Sequence, residues 1–297
     1  MRGKIRRSLL GFATLFCLTE FGFSAELHFT LIEKNGTTGN RLLVVGGIHG
    51  DEPGGYVAAT LLAKHYTIKS GCVAIVPNLN FDSIMANKRG IYGDMNRKFR
   101  EVKKSDKDYQ VVTDIKNIIK DGGNDLVLNL HDGHGFYRPN KISPTMNPSA
   151  WGQAAIIDQD ELPNARFGKL AALAGGVTTK ANISLAEDVH EFNVKNTETK
   201  ERDKDMQLSL TWYAVSNNIP ALAIETSKNI SETYIKAFYH LQALEHFMAV
   251  LGIEYERDFE LTLTGVRQIM PPQNRLREWL AYAISELTRR SPMASSK

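Results

Sequence analysis

Short apolar runs recur through this chain, and longer helix-like stretches separate them. The runs are Arg41–Val45, Cys72–Val76, Leu126–Leu130, Ala154–Ile157 and Pro220–Ile224. Each is too short for a buried helix. Each is also too uniformly apolar for a strand with one wet face, so they read as strands covered on both sides. The segments Glu52–Tyr66, Val111–Ile119, Pro163–Leu173, Leu208–Ser216 and Glu232–Leu251 read as helices, and so does Arg275–Arg290 near the end. In the second of these, Val111, Val112, Ile115, Ile118 and Ile119 share one face. Strands alternating with helices predict an α/β fold, a mostly parallel mixed sheet covered by helices on both faces. Glu26–Glu33 alternates as a further strand would, and Asn35-Gly36 marks a turn after it. Residues 78–106 read as a long polar connection, a kind of segment that is usually functional or disordered. Residues 187–206 are dense in charge and read as a solvated loop or flap.

The first residues have a different character. Arg2, Lys4, Arg6 and Arg7 precede the apolar run Leu9–Leu18, and Gly22-Phe23-Ser24-Ala25 offers small residues for cleavage. That is the pattern of a secretory signal peptide over residues 1–25, and the run is shorter than a membrane span needs. It predicts a periplasmic protein with no stable membrane span after cleavage. Residues 1–25 hold four of the 36 basic and one of the 33 acidic residues, so the rest balances at 32 of each. No basic excess remains to indicate a nucleic-acid partner. Cys72 is the one cysteine after residue 25 and reads as a small buried hydrophobe in its strand.

Three of the apolar runs lead into metal-donor or acidic side chains. After Val45 comes Gly46-Gly47-Ile48-His49-Gly50-Asp51-Glu52-Pro53-Gly54-Gly55; after Leu130 comes His131; after Ile224 comes Glu225. The carboxyl ends of strands in an open α/β sheet form the crevice where ligands bind. An imidazole and a carboxylate three residues apart, His49 and Glu52, can turn to one point there. With His131 they make a two-histidine, one-glutamate donor set, which suits zinc and leaves a position open, as in a catalytic site. An acid ending a wholly apolar strand is costly unless it has work to do, so Glu225 reads as the general base and acid. Arg89-Gly90-Ile91-Tyr92-Gly93-Asp94-Met95-Asn96-Arg97 supplies positive charge among glycines. Asn96 and Arg97 suit a terminal carboxylate, and Arg89 suits an oxyanion.

These residues stand in the order and rough spacing of the zinc carboxypeptidase superfamily, which also contains succinylglutamate desuccinylases and aspartoacylases. Further blocks sharpen the likeness: Pro77-Asn78-Leu79-Asn80, Arg89 to Phe99, Leu128 to Gly133, Gly135-Phe136-Tyr137-Arg138-Pro139, Trp151-Gly152 and Ile156 to Glu161. With them, residues 40 to 260 resemble the cell-shape-determining murein DL-carboxypeptidases of helical bacteria. The resemblance implies removal of terminal meso-diaminopimelate from muropeptide tripeptide, leaving dipeptide, with one zinc ion held by His49, Glu52 and His131. It implies catalytic roles for Glu225 and Arg89. It places Asn96, Arg97, Asp132, Trp151 and the 195–211 segment against the peptidoglycan stem peptide. Some members of that subfamily carry glutamine as first ligand, whereas His49 is the usual residue of the wider superfamily and favours zinc. Relatives also carry β-rich domains after the catalytic one, a pattern that the helical tail expected over residues 263–297 does not follow. The expected layout is a catalytic domain over residues 26–262 and that tail. The competing readings are an N-acyl amino acid deacylase and a non-catalytic wall-binding relative.

Overall fold

The computed structural model describes residues 27–290. The signal-peptide expectation therefore lies outside the described residues. In chain order the elements are β1 (Ile32–Asn35), β2 (Thr37–Gly46), α1 (Pro53–His65), β3 (Tyr66–Val76), α2 (Phe81–Ala86), α3 (Tyr109–Asp121) and β4 (Leu126–Gly133). A two-stranded ribbon follows, β5 (Phe136–Tyr137) with β6 (Met146–Asn147), then β7 (Ala154–Ile157), α4 (Leu170–Ala181), β8 (Asn193–Asn196) and α5 (Thr199–Arg202). The remainder is α6 (Leu210–Ser216), β9 (Ala221–Ser227), α7 (Thr233–Val250), β10 (Glu254–Arg257), α8 (Leu263–Ile269) and α9 (Leu276–Arg290).

Eight strands form the main sheet in the order β1-β3-β2-β4-β9-β7-β8, with β10 also pairing β3. The four central strands β3, β2, β4 and β9 are parallel. β7 runs antiparallel to β9, while β1 and β10 run antiparallel to β3. α1 and α7 pack on one face, where Gly55 brings α1 against the Leu130 carbonyl so closely that a Cβ would not fit. α6 covers β4 and β9 from the other face. This is the expected mixed α/β sheet, and β4 and the carboxyl-terminal halves of β2 and β3 are buried because helices lie over both faces.

Several local expectations change. The first strand begins at Ile32 rather than Glu26. The helix expected from Pro163 starts only at Leu170. Asn164 is left-handed (φ 68°), and the Leu162 amide donates to the Gly168 carbonyl at 2.7 Å, so residues 163–169 close a loop first. The charged 187–206 stretch is not only a flap, because it supplies β8, which pairs with β7. Cys72 is half-buried rather than in the core: its thiol donates to Asn35 Oδ1 at 2.8 Å and lies beside Arg41. Burial pushes that thiol up to about 11, so it is not a ready thiolate. α9 packs on α1 and buries Leu276, Leu280 and Ala283.

Candidate metal centre and substrate cleft

β2 ends at Gly46, and Gly47 turns the chain through a left-handed conformation (φ 75°) that favours glycine. The turn delivers His49 and Glu52 to the carboxyl edge of the sheet, immediately before α1. β4 and β9 lie side by side with His131 directly opposite Glu225. Three separate segments thus meet at one edge, as the sequence led us to expect.

The donor atoms of His49, Glu52 and His131 all lie within 4.8 Å of one another. Each imidazole turns its Nδ1 to a different oxygen of the same carboxylate. His131 Nδ1 is 2.8 Å from Glu52 Oε2, and His49 Nδ1 is 3.0 Å from Glu52 Oε1. All three residues are buried. His49 Nδ1 makes no hydrogen bond at that distance, so a buried nitrogen stands without a partner beside a carboxylate. A neutral imidazole nitrogen aimed at a shared point with a second imidazole and a carboxylate is the donor chemistry of a divalent metal. The residues fit such an ion.

The cleft over this edge is a cavity of about 340 Å³. Glu225, Arg89, Asn96, Arg97 and Trp151 border it together with the three donors, so the candidate residues converge. Arg89 Nη1 donates to Glu52 Oε1 at 3.0 Å, and the guanidinium also pairs with Asp94. Asn96 Oδ1 accepts the Leu210 amide at 2.9 Å, which leaves its Nδ2 donors.

Asp132 also borders the cleft, but its carboxylate is turned the other way: successive strand residues point to opposite faces, and β4 continues through Asp132. Its side chain is therefore directed away from His131, towards α1 and α7. There it is fully buried, accepts the Gly54 amide at 2.9 Å and the Thr226 hydroxyl, and pairs with Lys236 at 3.1 Å. The Gly54 contact satisfies one of the orphan amides at the start of α1, whose own N-cap residue, Glu52, makes no capping bond. Asp132 thus caps α1 from a neighbouring strand and leaves the Glu52 carboxylate free to face the histidines.

A family profile described as "carboxypeptidase controlling helical cell shape, catalytic" matches residues 10–271. The chain belongs to this family. Among solved structures, product-bound cell shape determinant protein Csd4 from Helicobacter pylori is 41% identical with a TM-score of 0.79, covering 81% of this chain. The mDAP-bound form of Helicobacter pylori Csd4, a D,L-carboxypeptidase, is also 41% identical with a TM-score of 0.79, and covers 82% of this chain. This chain spans 59% and 60% of the lengths of those two structures. A succinylglutamate desuccinylase from a Silicibacter species, 16% identical with a TM-score of 0.51 over 76% of this chain and 61% of its own, shares the fold. No curated protein matches.

The electrostatics of this family member's cleft follow from burial against charge. Burial alone would raise the Glu52 carboxyl, but His49 and His131 outweigh it and hold Glu52 well below the carboxylate range. Burial lowers His131. It would also lower His49, but Glu52 and Asp94 raise it instead. Glu225 has no such cationic partner in contact. Burial, then the neighbouring charges of Glu52 and Asp132, push its carboxyl well above the ordinary range.

Two contributors were given no role from the sequence. Asp94 lies inside the arginine-rich motif, but its partner His49 is 45 residues away. Lys228 borders the cavity, pairs with Asp51 at 2.6 Å and stands 3.4 Å from Glu52 Oε1. Its place one residue beyond β9 was a signal only once that strand was known to continue past Glu225.

Proposed function

We propose that this protein is a zinc-dependent peptidoglycan D,L-carboxypeptidase that removes terminal meso-diaminopimelate from muropeptide tripeptide, leaving dipeptide. The observation that carries this reading is the pair of imidazole Nδ1 atoms turned to the two oxygens of Glu52, with Glu225 opposite His131 and bonded to neither. Family membership supports it, as do Csd4 structures from Helicobacter pylori that hold a tripeptide and mDAP.

In this reading His49, His131 and Glu52 would hold one zinc ion. When bound, zinc supplies Lewis acidity, which polarises a carbonyl and makes water a nucleophile near neutral pH. Asn96 and Arg97 grip the terminal carboxylate of the peptide, Arg97 with a planar fork suited to it. Arg89 sits at the cleft mouth and holds charge that develops on the scissile carbonyl oxygen. Glu225 takes a proton from the attacking water and passes it to the leaving amine. A carboxyl raised above the ordinary range by burial and by the neighbouring Glu52 and Asp132 charges is suited to both transfers. Trp151 walls the side of the cleft. Residues 1–25 act as a signal peptide and the enzyme works in the periplasm on stem peptides. Among the described residues no helix is long and apolar enough to cross a membrane. Residues 26–262 form the catalytic domain, and residues 263–297 are a tail that is helical over Leu263–Ile269 and Leu276–Arg290.

Mass spectrometry of muropeptides incubated with the protein tests this. Tripeptide converts to dipeptide plus free diaminopimelate, a chelator abolishes the conversion, and added zinc restores it. Intact tripeptide in the presence of bound zinc would overturn the reading.

A further inference from the structure

Asn129 is fully buried in β4, and neither its Oδ1 nor its Nδ2 has a hydrogen-bond partner. Buried side-chain amides are nearly always satisfied, so one with both ends open needs an account. Its position supplies one. Asn129 lies two residues before His131 and so shares the His131 face of the sheet. The register sets two rows across that face. The upper row is His131, Glu225 and Ala154; the lower row is Asn129, Ala223 and Ile156. The rows are about 6.6 Å apart, two residues along a strand. Asn129, Ala223 and Ile156 border the same cavity as the metal donors, and Thr211 borders it as well. Ala223 is small, and Ile156 offers no polar atom. The lower row is therefore a largely apolar floor with one open amide in it.

We propose that Asn129 is the specificity residue of this cleft. It reads the far end of the released residue's side chain, and that end carries both a hydrogen-bond donor and an acceptor, as an ammonium beside a carboxylate does. The proposal rests on the carboxypeptidase reading and deepens it. A residue held by its terminal carboxylate with its scissile bond at the upper row sends its side chain along the sheet face. A chain of three or four methylenes spans the distance between the rows. An amide presents an acceptor and two donors, and each end of it meets one group of such a ligand. An apolar side chain in the same place leaves both ends of the buried amide unpaired, which is how a polar site rejects an isostere. The same logic gives a stability signature. Replacing an unsatisfied buried amide by an apolar residue of similar shape relieves the apoprotein.

The test compares cleavage of tripeptides ending in diaminopimelate and in norleucine by zinc-loaded wild-type protein and by Asn129→Leu. Wild type prefers diaminopimelate by at least tenfold in kcat/KM. Asn129→Leu loses that preference, binds zinc as wild type does, and has a Tm roughly 2–4 °C higher. An unchanged preference in Asn129→Leu overturns the inference. If wild type cleaves neither peptide, the carboxypeptidase reading falls and the inference falls with it. If Asn129→Leu does not fold, calorimetry on the wild-type protein decides, with free diaminopimelate, lysine, 2-aminoadipate and norleucine as ligands. Affinity falls with each group lost, and equal binding of diaminopimelate and norleucine overturns the proposal.

Discussion

Asp94 Oδ1 stands 2.9 Å from Nε2 of His49, on the opposite side of the ring from the Nδ1 that faces Glu52. A carboxylate there fixes the proton on Nε2 and leaves the Nδ1 lone pair for an ion. It also fixes the ring's orientation. Asp94 itself is fixed by Arg89 and by the Asn96 amide. Its carboxyl is held well below its usual range, because His49 and Arg89 outweigh its burial.

Asp94→Ala weakens metal binding by roughly 10- to 100-fold, the usual effect of removing such an outer partner. Competition against a chromophoric chelator measures it. Unchanged affinity would mean that His49 is oriented by packing alone.

Glu225→Gln retains one zinc ion per chain but lowers kcat on tripeptide by roughly 10²- to 10⁴-fold, the range expected for loss of a general acid–base. Metal analysis of the same sample separates this from loss of a ligand. Retained turnover would move the proton transfer to another group.

Lys236→Met leaves the Asp132 carboxylate buried with only the Thr226 and Gly54 donors and the more distant His240. Removing one partner of a buried ion pair costs roughly 3–5 kcal/mol. At about 2–4 °C per kcal/mol the melting temperature falls by roughly 6–20 °C. Thermal unfolding followed by circular dichroism checks it. A shift of a degree or less would show that Asp132 is satisfied without the lysine.

Asp158 gives a pH dependence of stability. It is buried beside Thr199 at the end of β7, and burial pushes its carboxyl up to about 6 from 3.8. A raised folded-state pKa favours the protonated form. Its contribution is therefore complete below pH 3.8 and lost as pH rises through 6. The loss is roughly 3 kcal/mol, at 1.36 kcal/mol per unit. Asp158→Asn does not titrate, so its stability relative to wild type rises by about that amount between pH 4 and pH 7. Urea melts at the two pH values measure the difference, and a constant difference would place the ionised form in a solvated setting.

Much of the fold and site was legible in the chain because the signals were local. Leu42–Val45, Cys72–Val76 and Leu126–Leu130 could only be covered strands, and donors near the ends of three strands had to share one edge of a parallel sheet. His49, Glu52 and His131 follow from that alone. The misread elements were those that long-range pairing decided. β8 forms from a charge-rich stretch because β7 offers an edge to pair with. Pairing with β9 carries β4 beyond the apolar run Leu126–Leu130 to Gly133 and sends the Asp132 carboxylate to the face opposite His131.

The order of strands and helices, and which side chains stand at the sheet edge where the candidate site forms, were therefore set by local pattern, since apolar periodicity and glycine turns act over a few residues. The tertiary structure alone decided what holds those side chains still. Asp94 on His49, Asp132 capping the helix after Glu52, and the open amide of Asn129 below His131 all depend on register between segments far apart in sequence. No short-range pattern encodes that register.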